Sequence, residues 1–288
     1  MSTKHTMQDF ETHVFPTWCP GCGDFGIWTA LKEALVELNI PPHKLVVVFG
    51  IGCSGNQANF VRAYGFHGLH GRALPVAEGI SLANHGITTI VVGGDGDGYG
   101  EGMAHFIHTI RANPNITYLV HDNQVYGLTK GQTSPTTAKG MKTPSTPLGA
   151  TDEPVNPMAL AIATGCGFVA RGFAGDTDHL KKLIIAGVRH RGFSLIDVLQ
   201  PCVTFNHLNT YNWFYQRLVK LEDNKHDSSD RQAAWLQTQR GIDHVPIGIF
   251  YQEEKAALQD GFAMLAEKPL VKQSADKRNL GPLLKSMQ

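Results

Sequence analysis

The chain has no long apolar segment and no excess of charge of either sign. None of its 288 residues belongs to an apolar run near the ~20 residues that a membrane-spanning helix needs. Its 25 basic and 25 acidic side chains give a formal net charge of zero, so it has no basic footprint for DNA, RNA or an anionic membrane. No repeat or low-complexity tract occurs, and no secretory segment opens the chain. We therefore expect a cytoplasmic protein with no nucleic-acid or membrane partner.

Cysteine is scarce, and its positions are uneven. Four of the five cysteines lie near expected strand ends or helix starts, namely Cys19 and Cys22 in a C-x-x-C, Cys53 and Cys202. Cys166 closes an apolar helix and is expected to be a small buried residue. Four thiolates could hold a structural zinc ion or a four-iron cluster, and a lone C-x-x-C could be a redox pair. The spacing alone does not choose between zinc and iron–sulfur, whereas disulfides are not expected in the cytoplasm.

Strand-like and helix-like segments alternate along the chain. Short apolar, β-branched runs predict strands at 45–49, 87–92, 116–121, 168–173 and 193–199. Helical spacing predicts helices at 25–38, 76–85, 101–113, 156–164 and 176–190. The alternation indicates an α/β fold, a parallel sheet with helices on both faces.

A glycine-rich turn carries the strongest chemical signal. Gly94-Asp95-Gly96-Asp97-Gly98 follows one predicted strand, and Asn123 follows the next. Open α/β sheets bind ligands at the carboxyl ends of their strands, so these side chains should meet there. Asp95, the Asn123 side-chain oxygen and the Val125 carbonyl are the oxygen ligands that Mg²⁺ uses when it also holds phosphates. The pattern resembles the diphosphate-binding motif of thiamine diphosphate enzymes, although that family usually shows two asparagines where this chain has Asp122-Asn123.

Two segments depart from the α/β alternation. Gln124–Pro157 is rich in Thr, Pro, Gly and Lys and is longer than ordinary connections, so we expect it to close over the ligand and to contact a partner. After about Asn206 the composition shifts to aromatic and then charged stretches. We predict an α/β domain at 14–206 and a C-terminal extension at 207–288 that packs on the domain or on a partner subunit.

Five motifs together resemble one family. In chain order they are WCPGCG at 18–23, GIGCS at 50–54, HGLHGR at 67–72, GDGDG at 94–98 and YGLTKGQ at 126–132. Together they resemble the β subunit of a 2-oxoacid:ferredoxin oxidoreductase, over roughly residues 14–210. The resemblance implies a thiamine diphosphate-binding (PP-type) domain. It also implies that Cys19, Cys22, Cys53 and Cys202 ligate one 4Fe-4S cluster, and that Asp95, Asn123 and Val125 hold Mg²⁺. The implied cofactor-binding residues are Gly94, Asp95, Gly96, Asp97, Asn123, Val125, Tyr126, Gly127 and Leu128.

The resemblance also implies a reaction and partners. The enzyme class oxidatively decarboxylates a 2-oxoacid with coenzyme A, giving acyl-CoA and CO₂ and reducing ferredoxin. Thiamine catalysis also needs a Glu on a pyrimidine-binding domain, and one α/β domain already fills this chain. We therefore expect a larger α subunit to supply that Glu and most of the coenzyme A site, in an (αβ)₂ heterotetramer. The alternative class is a non-redox thiamine-dependent lyase with structural zinc.

A few polar side chains are candidates for contact with the substrate. His67, His70 and Arg72 lie in a glycine-rich stretch and are the predicted catalytic groups, by hydrogen bonding to a carboxylate or to developing negative charge. Arg62 and Asn56 are the predicted substrate-binding residues, because Arg pairs with carboxylates bidentately. The arginines near Cys53 favour 2-oxoglutarate, with its second carboxylate, and pyruvate is the close alternative.

Overall fold

The computed structural model describes residues 4–274 and 279–287. The strands of this part of the chain are β1 (Leu45–Phe49), β2 (Tyr64–His67), β3 (Thr88–Gly94), β4 (Ile116–Asp122), β5 (Val125–Tyr126), β6 (Gln132–Thr133), β7 (Phe168–Phe173), β8 (Phe193–Leu199), β9 (Leu218–Lys220) and β10 (Val245–Gln252). Its α-helices are α1 (Asp24–Glu37), α2 (Ala73–Ala83), α3 (Met103–Ala112), α4 (Pro157–Thr164), α5 (Thr177–Arg189), α6 (Tyr211–Tyr215), α7 (Arg231–Thr238), α8 (Ala263–Glu267) and α9 (Gly281–Ser286). Short 3-10 helices include Met7–Phe10, Pro42–Lys44 and Ser54–Asn59, and a π-helical turn spans Gly96–Glu101.

Eight strands form one mostly parallel sheet, in the order β2-β1-β3-β4-β8-β7-β10-β9. Every neighbouring pair is parallel except β10 and β7, which are antiparallel. The central strands β1, β4 and β8 are buried along their whole length, as expected when helices cover both faces of a parallel sheet. The predicted α/β fold class is confirmed.

The two faces of the sheet build two hydrophobic cores. Successive side chains of a strand point to opposite faces, so Val46 and Val48 lie in one core while Val47 and Phe49 lie in the other. Residues of α2, α3, α4 and α7 complete the first core, and residues of α1 and α5 complete the second. A continuous apolar strand such as β1 therefore stabilises both layers at once, and each buried Val or Leu side chain contributes about 1.5–3 kcal/mol.

The C-terminal part of the chain extends the same sheet. β10 pairs with β7, β9 pairs with β10, and Ala234 of α7 lies in the first core. The part of the chain after residue 206 thus contributes two strands to the main sheet. Its residues 275–278 and 288 lie outside the described part, and the boundary at 206 stays a prediction.

The topology gathers several loops at one edge of the sheet. Because β1, β3, β4 and β8 are parallel and adjacent, the segments that follow them all emerge at the carboxyl edge. These segments carry Cys53, Asp95, Asn123 and Cys202 respectively.

Candidate cofactor-binding site

Asp95 occupies a buried polar pocket just after β3. Only 2% of its surface is exposed, and its Oδ2 accepts hydrogen bonds from Ser134 Oγ (2.5 Å) and Thr136 Oγ1 (2.6 Å). Both donors belong to the predicted covering segment Gln124–Pro157, which therefore does fold back onto this edge. Burial raises the pKa of the Asp95 carboxyl from 3.8 to about 6, although the two hydroxyls oppose the shift. A nearby cation would remove this penalty by stabilising the carboxylate form.

Two other buried carboxyl groups, Asp122 and Asp197, lie close enough to Asp95 to influence its charge. Thr136 Oγ1 also lies 2.8 Å from Asp122 Oδ1, and the Asp122 pKa is raised well above its ordinary range by burial and by the charges of Asp197 and Asp95. Thr136 has one hydroxyl hydrogen, so it can donate to only one of these two carboxylates at a time. The negative charge of Asp197 lies beside a cationic side chain, because Arg171 Nε donates to its Oδ2 at 3.0 Å.

The glycines of the turn leave room where side chains would not fit. A Cβ at Gly96 would lie 2.3 Å from the Tyr126 ring, and one at Gly98 would lie 1.9 Å from the Tyr118 hydroxyl. Gly94 instead faces Ser54, whose Oγ would be 3.5 Å from such a Cβ. Tyr126 and Tyr118 therefore pack directly against the backbone of the turn, which leaves no space for a side chain at positions 96 and 98.

Unpartnered polar atoms lie in the 3-10 helix that follows Cys53. Ser54 Oγ and both amide atoms of the fully buried Gln57 have no hydrogen-bond partner among the residues described. Buried polar groups without partners are costly, so such groups in a native site indicate a bound polar molecule or water. The residues present therefore fit a ligand that brings several hydrogen-bonding oxygens.

Asn123 is held in place at the end of β4. Its Oδ1 accepts from the Val125 N–H at 3.1 Å, its carbonyl accepts from Asn206 Nδ2 at 3.1 Å, and its Nδ2 donates to Gln200 Oε1 at 3.5 Å. The side chain is 8% exposed. An amide oxygen has two lone pairs, so Oδ1 keeps one for a cation. Val125 pairs with Thr133 in the β5–β6 hairpin.

The four cysteines predicted as a set come from three loops that are tied together. The Trp18 indole N–H donates to the Cys53 carbonyl at 2.8 Å, which joins the C-x-x-C segment to the loop after β1. The Gly23 N–H donates to the Pro201 carbonyl at 3.1 Å, which joins it to the loop after β8. A Cβ at Gly127 would lie 3.5 Å from Cys53 Sγ and 3.7 Å from Cys202 Sγ. Cys166 does not join this set, because its thiol contacts the Phe168 carbonyl in the first core.

The buried thiols are poor acids on their own. Burial raises the pKa of Cys53 to about 12, with Asp24, Cys202 and Cys19 adding to the shift, and burial also raises the pKa of Cys22 and Cys202. Within residues 4–274 and 279–287, no three His, Cys, Asp or Glu side chains converge on one metal-ion position. Instead the Cys22 thiol donates to Asp24 Oδ2 at 3.1 Å. A metal centre here would have to displace these protons, as ligand thiols require.

The predicted catalytic side chains meet around a residue that the motifs do not single out, Glu101. Its Oε2 lies 2.9 Å from His70 Nδ1 and accepts from the Tyr126 hydroxyl at 3.2 Å, and its backbone carbonyl accepts from Arg72 Nη1 at 3.2 Å. His67 ends the exposed edge strand β2, and its Nε2 would be 3.1 Å from a Cβ on Gly55. His70, Arg72 and Tyr126 thus converge, while His67 lies towards the Cys53 loop.

Other predicted residues lie elsewhere or have structural partners. Asp97 Oδ1 accepts from the backbone N–H of Ile51 (3.0 Å) and Gly71 (2.8 Å), so it ties two loops together. Asn56 is half-buried in the 3-10 helix after Cys53. Arg62 precedes β2 and is exposed in a surface depression of about 420 Å³ that it shares with Pro42, which precedes β1. The structure therefore does not bring Arg62 to the carboxyl edge.

Several contributors to the site carry no motif in the sequence. Ser134 and Thr136 reach Asp95 only because the covering segment folds back, and Gln200 is an ordinary residue at the end of a strand. The composition of Gln124–Pro157, rich in Thr, was the one signal for the hydroxyl donors.

No helix in the described part of the chain is both long enough and apolar enough to cross a membrane.

Comparisons with known proteins match both parts of the chain. Residues 50–198 match the family of the thiamine pyrophosphate enzyme C-terminal TPP-binding domain. Residues 202–267 match the family of the C-terminal part of the pyruvate ferredoxin oxidoreductase beta chain.

The similar proteins include two curated relatives and a solved structure. The chain is 46% identical over 252 residues to 2-oxoacid:ferredoxin oxidoreductase 1, subunit beta, of Aeropyrum pernix, a match covering 84% of this chain and 79% of the relative. It is 33% identical to 2-oxoglutarate synthase subunit KorB of Methanothermobacter marburgensis, over 92% of each chain. A structure of 2-oxoglutarate:ferredoxin oxidoreductase from Magnetococcus marinus, with 2-oxoglutarate, coenzyme A and succinyl-CoA bound, superposes with a TM-score of 0.91 at 34% identity, over 99% of this chain and 96% of that one. The chain, whose residues 50–198 match a thiamine pyrophosphate-binding domain, belongs to the family of 2-oxoacid:ferredoxin oxidoreductase β subunits, as its five motifs predict.

Proposed function

We propose that this β subunit, with an α subunit, oxidatively decarboxylates 2-oxoglutarate, consuming coenzyme A and reducing ferredoxin. The family assignment covers a 2-oxoacid in general. The choice of 2-oxoglutarate is supported by the names of the KorB relative and of the superposing structure. It is not supported by Arg62, one of the arginines near Cys53 that favour 2-oxoglutarate in the sequence, because that residue lies away from the carboxyl edge. Pyruvate is the alternative substrate.

The observation that carries the proposal is the shared location of two donor sets. Gly127 lies against the sulfurs of Cys53 and Cys202, and a Cβ there would also be 3.9 Å from Asn123 Nδ2. The Asn123 side chain and two of the four thiols are therefore separated by little more than a glycine. A one-electron centre beside a carbanion-stabilising cofactor is the arrangement that an oxidative decarboxylation needs.

The oxygen donors fit Mg²⁺ and a diphosphate. Asp95, Asn123 and the Val125 carbonyl would hold the cation, while Ser54 and the backbone of Gly94–Gly98 would meet the phosphate oxygens. When bound, thiamine diphosphate supplies a carbanion-stabilising centre for the carbon that loses CO₂. The role of Asp95 is to place a negative charge where the cation binds, and Ser134 and Thr136 hold that carboxylate in position. Asp97 instead supports the turn through its two backbone hydrogen bonds.

The thiols fit a cluster with four cysteine ligands. Cys19, Cys22, Cys53 and Cys202 would ligate one 4Fe-4S cluster, which supplies a one-electron acceptor when bound. Two further features of the chain support this site. Trp18 and Phe60 pack beside Cys22, and two hydrogen bonds hold the three cysteine-bearing loops together. A thiol set of this kind also suits zinc, which is the basis of the rival lyase function.

The side chains around Glu101 are suited to hold the substrate. Tyr126 donates to Glu101 and His70 Nδ1 lies 2.9 Å from its carboxylate, so Nε2 is the ring nitrogen that would meet a substrate carboxylate. Arg72 is exposed and anchored through one nitrogen to the Glu101 carbonyl, which leaves donors for a second carboxylate oxygen. We propose that His70 and Arg72 orient the 2-oxoacid and that His67 lines the side towards Cys53.

The chain is one half of a catalytic unit. A β subunit implies an α subunit, and we propose that the α subunit supplies the pyrimidine-side Glu and most of the coenzyme A site in an (αβ)₂ assembly. Ferredoxin as the electron acceptor and a cytoplasmic location stay predictions.

The test is an anaerobic assay of the αβ complex, obtained by co-expressing the two chains. We expect ferredoxin or dye reduction with 2-oxoglutarate and coenzyme A to exceed that with pyruvate, and the β chain alone to give no turnover. Faster reaction with pyruvate would assign the alternative substrate. A colourless complex that contains zinc and decarboxylates without reducing a dye would favour the rival lyase.

A further inference from the structure

Gln200 is a buried residue that the mechanism above does not use. It directly follows β8, only 2% of its surface is exposed, and its backbone N–H donates to the Asp122 carbonyl at 3.0 Å. This bond fixes it to the end of β4, next to Asn123.

Its side-chain amide reaches both proposed cofactor sites. Nε2 donates to Cys22 Sγ at 3.3 Å, and Oε1 accepts from Asn123 Nδ2 at 3.5 Å. A thiolate can only accept, and the Asn123 amide nitrogen can only donate, so this orientation of the Gln200 amide satisfies both neighbours.

The surrounding backbone keeps Gln200 in this position. A Cβ at Gly23 would lie 2.6 Å from Gln200 Cγ and 3.1 Å from Pro201 Cδ, so Gly23 packs directly on the side chain. The Gly23 N–H also donates to the Pro201 carbonyl. Residue 23 is part of the C-x-x-C segment, so the loop that bears Cys22 rests on Gln200.

We propose that Gln200 is a positioning residue that couples the iron–sulfur site to the thiamine diphosphate site. The proposal rests on the proposed function, because it takes Cys22 as a cluster ligand and Asn123 as a magnesium ligand. Gln200 donates to the ligand sulfur with one end of its amide and orients the Asn123 side chain with the other.

The coupling has a direction that can be measured. A hydrogen bond to a ligand sulfur stabilises the more negative, reduced cluster and so raises its reduction potential. Without the amide, Cys22 would keep the nearby Asp24 carboxylate and lose a donor. Removing the amide should therefore shift the potential to a more negative value and weaken binding of thiamine diphosphate through a less ordered Asn123.

The experiment compares Gln200→Met with Gln259→Met in the anaerobic αβ complex. Methionine keeps the length of the side chain and removes the amide. Gln259 is also a buried glutamine, but its amide bonds to Ser81 and to the Asn115 N–H, at the amino end of β4. We expect Q200M to lower the equilibrium constant for cluster reduction about tenfold, or roughly 59 mV for one electron. We expect Q259M to match the wild type, with both variants followed by EPR-monitored redox titration and by the Kd of thiamine diphosphate.

The outcomes separate this inference from the proposed function. A wild-type complex without iron and acid-labile sulfide overturns the proposed function itself. A loaded Q200M complex whose potential equals that of the wild type overturns the inference alone, as does an equal shift in Q259M.

If Q200M takes up no cluster, the contact is tested without altering Gln200. The reduced complex is prepared with ¹⁵N-labelled glutamine side chains in a Gln57→Met background, which removes the buried amide close to Cys53 in sequence. A ¹⁵N coupling to the cluster in pulsed EPR supports the contact, and its absence overturns it.

Discussion

Replacing Asp95 with asparagine should stabilise the chain while abolishing its cofactor function. In the fold, burial raises the pKa of the Asp95 carboxyl from 3.8 to about 6. Each pKa unit corresponds to about 1.4 kcal/mol, so the ionised carboxylate costs about 3 kcal/mol of folding free energy when no cation is bound. Asparagine has nearly the same shape, and its side-chain oxygen can still accept from Ser134 and Thr136.

The upward shift of the Asp95 pKa determines how the free energy of unfolding depends on pH. The folded state holds the Asp95 proton more tightly than the unfolded state, so wild-type stability falls as pH rises between 3.8 and about 6 and then levels off. Asparagine does not titrate. The stability advantage of D95N should therefore be near zero below pH 4 and reach about 3 kcal/mol above pH 6.

The assay is chemical denaturation of the purified chain in EDTA across this pH range, followed by tryptophan fluorescence. A second arm adds Mg²⁺ and thiamine diphosphate to the αβ complex, where the wild type should bind and D95N should not. If D95N were less stable than wild type at about pH 8 in EDTA, the carboxylate would be a structural group and the reasoning about a cation-binding charge would be refuted.

Three further predictions concern neighbouring features. Glu101→Gln should lower kcat/KM about tenfold without changing the melting temperature, because it weakens the hold on His70 at a half-exposed position; steady-state kinetics and calorimetry test this. Gly98→Ala should cost about 1–3 kcal/mol of unfolding free energy in denaturant titrations, since its Cβ would meet the Tyr118 hydroxyl, and an added Tyr118→Phe should recover part of that cost. Cys166→Ala should leave the iron content of the complex unchanged; lost iron would remove the four-cysteine assignment.

The sequence predicted those elements of the fold that can be recognised from a short run of neighbouring residues. β1, β4 and β8 are uninterrupted apolar runs because both faces of each strand are buried, and their predicted bounds agree with the structure within a residue. β2 was missed, because an exposed edge strand shows neither a continuous apolar run nor a strict alternation. β10 was not among the predicted strands, and its antiparallel pairing with β7 depends on where a distant segment of the chain docks.

The site divides in the same way. Asp95, Asn123 and the cysteines could be predicted because ligands of one group must follow particular strands, which restricts their positions along the chain; their roles as ligands stay predictions. Gln200 could not be found, since its role comes from contacts between segments far apart in sequence. Glu101 was passed over for a related reason: it lies next to the glycine turn, yet its contacts come from two other loops. Arg62 was proposed because it is close to Cys53 in sequence. It lies before β2, at the amino end of that strand, whereas Cys53 lies at the carboxyl end of the neighbouring parallel strand β1.

The central claim is that one edge of this chain holds a thiamine diphosphate site and an iron–sulfur cluster side by side. The most direct measurement is EPR of the anaerobically purified αβ complex, frozen after 2-oxoglutarate and coenzyme A are added, together with iron and sulfide analysis. We predict about four iron and four sulfide per β chain and a reduced-cluster signal that requires both Mg²⁺ and thiamine diphosphate. A complex that contains neither iron nor acid-labile sulfide, or a cluster that substrate never reduces, would contradict the account.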